Sequence, residues 1–284
     1  MTFTELPHIM VGFQNGTGGN FVGRVLSGIQ KGVFSALQYT LEGSAHIPYG
    51  EVIMWAGARY IAIPDVDDFV SRASHCAKFI ETAEHIQEPV IILMHEVTNF
   101  DVFQKLLPNT KLAMITMSSP ADALISDINF ARKWYMEPMN SRFNITKNEW
   151  ARMIHARIVK YTGREDIAEM IMSQPNLPVH VECILYFYGK KRTRHNHVAN
   201  IKPVYPGSIE LPFSCFRNND EDLFLDFVTR VHGLPLTDEE RTFVSREFSR
   251  YQALQNKELL SDPYKYLNRI ETVVYNYLNE LKNA

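Results

Sequence analysis

His8-Ile9-Met10-Val11-Gly12-Phe13-Gln14-Asn15-Gly16-Thr17-Gly18-Gly19-Asn20-Phe21 is the stretch on which the fold turns. Its first six residues are an apolar run of strand length. Its glycine-rich second half opens a segment with apolar residues at helical spacing: Phe21, Val25, Leu26, Ile29 and Phe34. The order is strand, glycine loop, helix. Two later runs, Pro89 to Met94 and Leu112 to Met117, are short and continuously apolar, as strands covered on both faces of a parallel sheet are. Between them, Phe100 to Leu107 fits a short crossover helix that ends at Pro108-Asn109.

Beyond Met117, Ser118-Ser119-Pro120-Ala121-Asp122 reads as a helix start, with a serine cap, proline at the first helical position and an acid in the first turn. That helix should run to about Tyr135, and a second from about Lys147 to Tyr161. Pro178 to Tyr188 alternates roughly and reads as a late strand, followed by a basic turn, Gly189-Lys190-Lys191-Arg192-Thr193-Arg194. From about Glu221 the chain is helical, broken at Gly233-Leu234-Pro235 and Ser261-Asp262-Pro263. No repeat and no Ser/Gly or Pro-rich linker divides it. The expectation is one α/β domain over residues 1–284 with a helical C-terminal third.

Composition sets bounds on function. With 284 residues, 45% hydrophobic and 21% charged, about three quarters of the unfolded surface can be buried without metal or disulfide staples. A net charge of -3 gives no overall field for nucleic acid or acidic membrane, so any anion site must be local. Cys76, Cys183 and Cys215 are odd in number and lack C-x-x-C spacing, which speaks against a disulfide framework or a four-ligand zinc site and fits a reducing compartment. The N-terminus has no basic segment before an apolar one, and no window reaches the ~18 apolar residues of a membrane span. These features point to a cytoplasmic chain that does not cross a membrane.

Three places could carry chemistry. In Asn15 to Asn20, glycines let backbone N–H groups approach an oxyanion at a helix N-terminus, which suits phosphate or sulfate. A tight turn without a ligand explains the same glycines. The loop has no Gly-Lys-Ser/Thr, and Phe21 stands where a dinucleotide fingerprint has its third glycine. His95 ends the second strand and precedes Glu96. Ligands of open α/β sheets sit at the carboxyl ends of strands, and a neutral imidazole can take a proton from an attacking hydroxyl. A loop histidine bonded to backbone is the plainer reading. Ser126 lies on the helix after Ser118.

The order and spacing of these three resemble the sulfotransferase family. Asn15-Gly16-Thr17-Gly18-Gly19-Asn20-Phe21-Val22 stands where that family has Pro-Lys-Ser-Gly-Thr-Thr-Trp-Leu, the loop that cradles the donor's phosphosulfate. Leu93-Met94-His95-Glu96-Val97 resembles the segment whose histidine is the base. Ser118 to Phe130, with Ser126, resembles the segment that grips the 3′-phosphate. The likeness covers about residues 8 to 135, and Val231 to Leu236 resembles the family's C-terminal region less specifically. It implies a P-loop-type three-layer fold with a mainly parallel central sheet. It also implies 3′-phosphoadenosine 5′-phosphosulfate as co-substrate without a metal, a small-molecule or glycan hydroxyl (or amine) acceptor, and His95 as general base. Asn15, Gly16, Thr17, Gly18, Gly19, Asn20, Phe21, Ser118 and Ser126 would hold the donor.

The departures are specific. Gly16 replaces the loop lysine, Ser118 replaces the 3′-phosphate arginine, and the late Gly-x-x-Gly-x-x-Lys signature is absent from the last hundred residues. Loss of one preorganised donor costs on the order of 10²–10³ in rate unless another group replaces it. Arg24, Lys133 and the basic turn at Lys190, Lys191, Arg192 and Arg194 are the nearest replacements, although a solvated hairpin tip is the plainer reading of that turn. His195 and His197 lack companions at metal-ligand spacing. Two alternatives stand beside the transferase: a degenerate binding or assembly protein of the same fold, and a nucleotide or nucleoside kinase, which lacks a loop lysine and a magnesium-binding acid.

Overall fold

The computed structural model describes residues 2–14, 16–37, 52–56, 86–95, 105, 107–136, 147–173, 177–193 and 206–283. By its contacts the chain divides into two units, Met1–Met117 with Lys202–Gln255, and Ser118–Ile201 with Asn256–Ala284.

The first unit holds the sheet. Strand β1, Ile9–Phe13, is buried at all five positions. Successive side chains point to opposite faces, so both faces of the sheet are covered there, as a three-layer α/β architecture requires. Strands β2 (Val52–Ala56), β3 (Ile91–His95), β4 (Lys111–Thr116) and β5 (Ile209–Pro212) complete it in the order β2-β3-β1-β4-β5. Every pairing is parallel, with Ile9 opposite Ile91 and Lys111. The three strands expected from the sequence are the central ones. The edge strands β2 and β5 are additions, and β5 is only four residues long and ends in Pro212, which removes a ladder donor.

Helix α1, Gly19–Lys31, lies against β1 and β3 and stops at Gly32, whose left-handed φ of 62° lets its N–H reach Gly28 O and Ile29 O. It buries Phe21, Val22, Val25, Leu26 and Ile29. After β5 come the one-turn helix α6 (Ser214–Arg217), α7 (Glu221–His232) and α8 (Asp238–Ala253). Asp220 caps α7 through Leu223 N at 3.0 Å, and a Thr237/Glu240 capping box opens α8. These helices stack aromatic rings against α1: Phe21 on Tyr251 (4.2 Å between centroids, 8° between planes), Phe224 on Phe248, and Phe216 among them.

The second unit is helical: α2 (Pro120–Met136), α3 (Lys147–Thr162), α4 (Glu165–Met172), α5 (Leu177–Thr193), α9 (Lys257–Ser261) and α10 (Pro263–Asn283). The first two match the sequence expectation, as do the breaks at Gly233 to Pro235 and Ser261 to Pro263. The strand expected over Pro178 to Tyr188 is instead the body of α5, and Gly189 to Thr193 form its last turn rather than a turn behind a strand. The cause is burial on most sides. α5 packs against α2, α3 and α10, and Cys183 to Tyr186, Tyr188 and Gly189 are all buried. A helix apolar nearly all round has no 3.6-residue stripe, and its valines, isoleucine and aromatics carry strand propensity that the packing overrides. The crossover helix expected over Phe100 to Leu107 falls largely outside the described residues.

Candidate functional site

The sheet order puts β1 at its centre, with β3 on one side and β4 on the other. From β1 the chain goes to the β2–β3 side, and from β3 it crosses β1 to reach β4. The carboxyl ends of β1 and β4 therefore flank a topological switch point, where open α/β sheets form their ligand crevices. The glycine loop leaves β1 at this end.

The loop is a tight turn built from its own backbone. Thr17 is fully buried, its N–H donates to Gln14 O at 3.2 Å, and its Oγ1 donates to the same oxygen at 2.7 Å. Gly16 and Gly18 have φ of 85° and 88°, a region that side-chain-bearing residues occupy at a cost. Gly18 is the N-cap of α1 and brings no side chain to the helix N–H groups. Packing adds its own demands. A Cβ on Gly18 would lie 2.6 Å from Tyr251 Oη, and one on Gly19 would lie 1.9 Å from the Phe13 ring. Those two glycines are thus required by the core, whatever the loop binds. Phe21 is a core residue stacked on Tyr251, and Asn20 Oδ1 is buried with no hydrogen-bond partner among the described residues. Arg24 follows Asn20 by one turn of α1 and is half-buried. Asn15 lies outside the described residues.

His95 is the last residue of β3, at the register position opposite Phe13 of β1 and Ala56 of β2. Neighbouring strands lie about 4.8 Å apart, so the backbone of His95 sits one strand from the residue that leads into the glycine loop. Glu96 and Val97 lie outside the described residues.

In the helical unit, α2 begins as the sequence suggests. Ser119 Oγ accepts from Asp122 N at 3.1 Å, while Asp122 Oδ2 accepts from Ser118 N at 3.2 Å and Ser118 Oγ at 3.3 Å. Asp122 is buried, and Ser118, though exposed, keeps its hydroxyl on a carboxylate. Ser126 is 3% exposed, two turns into the helix. Lys133 falls on α2 as well. Lys190 pairs with Glu271 of α10 at 3.2 Å and lies over the Tyr186 ring, whose hydroxyl donates to Glu271. Its charge is committed to the seam between α5 and α10. Lys191 and Arg192 fall in the last turn of α5, while Arg194, His195 and His197 lie outside the described residues.

Burial pushes the thiols of Cys183 and Cys215 up to about 12, which leaves them protonated and inert near neutral pH. Among the described residues no group of three or more His, Cys, Asp or Glu is placed to hold a metal ion, and no described helix is long and apolar enough to cross a membrane. Tyr251 is the residue of this region that the sequence conceals, since it reads there as helix packing and only the fold brings it to Gly18. No protein-family model, curated protein or solved structure matches the chain.

Proposed function

We propose that the chain is a sulfotransferase-like enzyme that holds 3′-phosphoadenosine 5′-phosphosulfate by its phosphosulfate end at the glycine loop and uses His95 as general base. One observation carries the reading: the parallel register sets His95 beside Phe13, the last residue of β1 before the loop. A base and an oxyanion cradle then share one edge of the sheet. The start of α1 fits an oxyanion, with two left-handed glycines, no side chain at its cap, and a helix of 13 residues whose dipole favours negative charge.

In this reading the acceptor oxygen attacks sulfur in line, its proton passes to His95, and the bond from sulfur to the phosphate oxygen breaks to release adenosine 3′,5′-bisphosphate. Loop N–H groups stabilise the sulfuryl and phosphate oxygens as charge redistributes. The 3′-phosphate is less well provided for, because the Ser118 hydroxyl is held by the Asp122 carboxylate, which repels a phosphate.

The second reading, a binding or assembly protein that has lost the donor, is favoured by the packing of Gly18 and Gly19 against Tyr251 and Phe13, which explains both without a ligand. Calorimetric titration with adenosine 3′,5′-bisphosphate, AMP and ATP separates the two. The transferase predicts bisphosphate binding stronger than that of AMP, retained in His95→Asn, with sulfuryl transfer lost in that variant. Absence of bisphosphate binding by the wild-type chain overturns it.

A further inference from the structure

The aromatic cluster around α1 contains one hydroxyl that packing does not explain. Phe21, Phe216, Phe224 and Phe248 are phenylalanines, and Tyr251 shares their stack, lying flat on Phe21 and edge-on to Phe216. A phenylalanine would fill the same space. Tyr251 is 6% exposed, and among the described residues its hydroxyl makes no hydrogen bond. That oxygen is not one of the fully enclosed polar atoms, so it keeps access to solvent and can donate to a bound group. It is aimed at the helix start: Oη lies 2.6 Å from the position a Gly18 Cβ would take, so it reaches the loop only because residue 18 has no side chain.

Among the described residues of the loop, Thr17 Oγ1 already donates to Gln14 O, and Gly16, Gly18 and Gly19 have no side chain; Asn20 holds its Oδ1 buried, and its amide N–H groups are the other side-chain donors there. We infer that Tyr251 is a side-chain donor of the α1 anion site, its hydroxyl joining the backbone N–H groups around one oxygen of a phosphate or sulfate group. The inference rests on the reading of the glycine loop as an oxyanion cradle, and it gives that cradle a residue with no counterpart in the resemblance. It also gives Gly18 a second role, since any side chain there would displace the hydroxyl.

The test is calorimetry of wild type and Tyr251→Phe with two probes, adenosine 3′,5′-bisphosphate and inorganic sulfate, together with thermal unfolding of each protein without ligand. A hydrogen bond to a charged group accounts for about tenfold or more in affinity. The expected result is that Tyr251→Phe unfolds near the wild-type temperature, because the aromatic stack is kept, yet binds the bisphosphate at least tenfold more weakly. Phe248→Leu is the packing control and should lower the unfolding temperature without that loss of affinity. Equal bisphosphate affinity in wild type and Tyr251→Phe overturns the role of Tyr251 and leaves the donor reading standing. Sulfate binding that depends on Tyr251, without bisphosphate binding, overturns the donor reading and upholds Tyr251. Failure of wild type to bind either probe overturns both.

Discussion

Helices α1 and α2 both follow a central parallel strand, and they begin in opposite ways. At α2, Ser119 and Asp122 cap each other's segment and the carboxylate also takes the N–H and hydroxyl of Ser118. Side chains of this segment thus take the Asp122 N–H in the first turn and the Ser118 N–H just before it. At α1 the cap is Gly18, the next residue is Gly19, and the hydroxyl of Thr17 on the other side turns back to Gln14 O just past β1. Its N–H groups are left for the backbone, water or an anion. A self-capped start needs no ligand, whereas a bare one with a tyrosine hydroxyl against it is the start that the proposed anion reading requires. Sequence position along the sheet does not distinguish the two. The chemistry of the first turn does.

The largest effect is expected where the bare start meets the core. Gly18→Ala puts a side chain at a φ of 88° and a methyl 2.6 Å from Tyr251 Oη, and should cost about 3 kcal/mol in urea unfolding, from strain and overpacking together. Adding Tyr251→Phe removes the closest atom and should recover about 1 kcal/mol, while the backbone strain remains. If Gly18→Ala unfolds like wild type, the loop is looser than described and the comparison fails. At the self-capped start, Asp122→Ala removes the acceptor for Ser118 and should cost about 1–2 kcal/mol, and Ser119→Ala about 1 kcal/mol. Equal stability of both variants with wild type would show that α2 does not depend on its caps.

Much of this architecture is legible in the residues, and the exceptions have physical causes. β1, β3 and β4 are continuous apolar runs because both faces of the sheet are covered, and α1 declares itself by Phe21, Val25, Leu26 and Ile29 on one face. α5 misleads because a helix enclosed by three others loses its stripe, so Val179, Val181 and Ile184 read as strand. β5 escapes because Ile209-Glu210-Leu211-Pro212 is short and ends in proline. At the site, the glycines and the strand-end position of His95 can be read directly, but the glycines report two demands at once, conformation at Gly16 and close packing at Gly19. Tyr251 could not be found from sequence, because its partner at Gly18 lies far away along the chain and helical spacing already accounts for an aromatic there.

The amino-terminal end of β1 sharpens the contrast from the other side, since it carries a histidine whose bonds are all internal. His8 is fully buried, with Nε2 donating to Phe3 O at 2.6 Å and Nδ1 accepting from Val90 N at 3.2 Å. That pattern requires the neutral ring. A second proton would land on Nδ1 and face the Val90 N–H, and burial holds the pKa of His8 below its ordinary value, more than the Phe3 carbonyl raises it. The unfolded chain then binds a proton more readily than the folded one. This contribution to stability is present above the unfolded value of about 6.5 and declines as pH falls through it toward the lower folded value. The slope from this group can reach at most about 1.4 kcal/mol per pH unit. Urea unfolding of wild type at pH 5, 6 and 7.5, compared with His8→Asn, should show a fall at low pH that the variant lacks in part, over and above its own loss of stability. An identical pH dependence in the two proteins would remove His8 as its source.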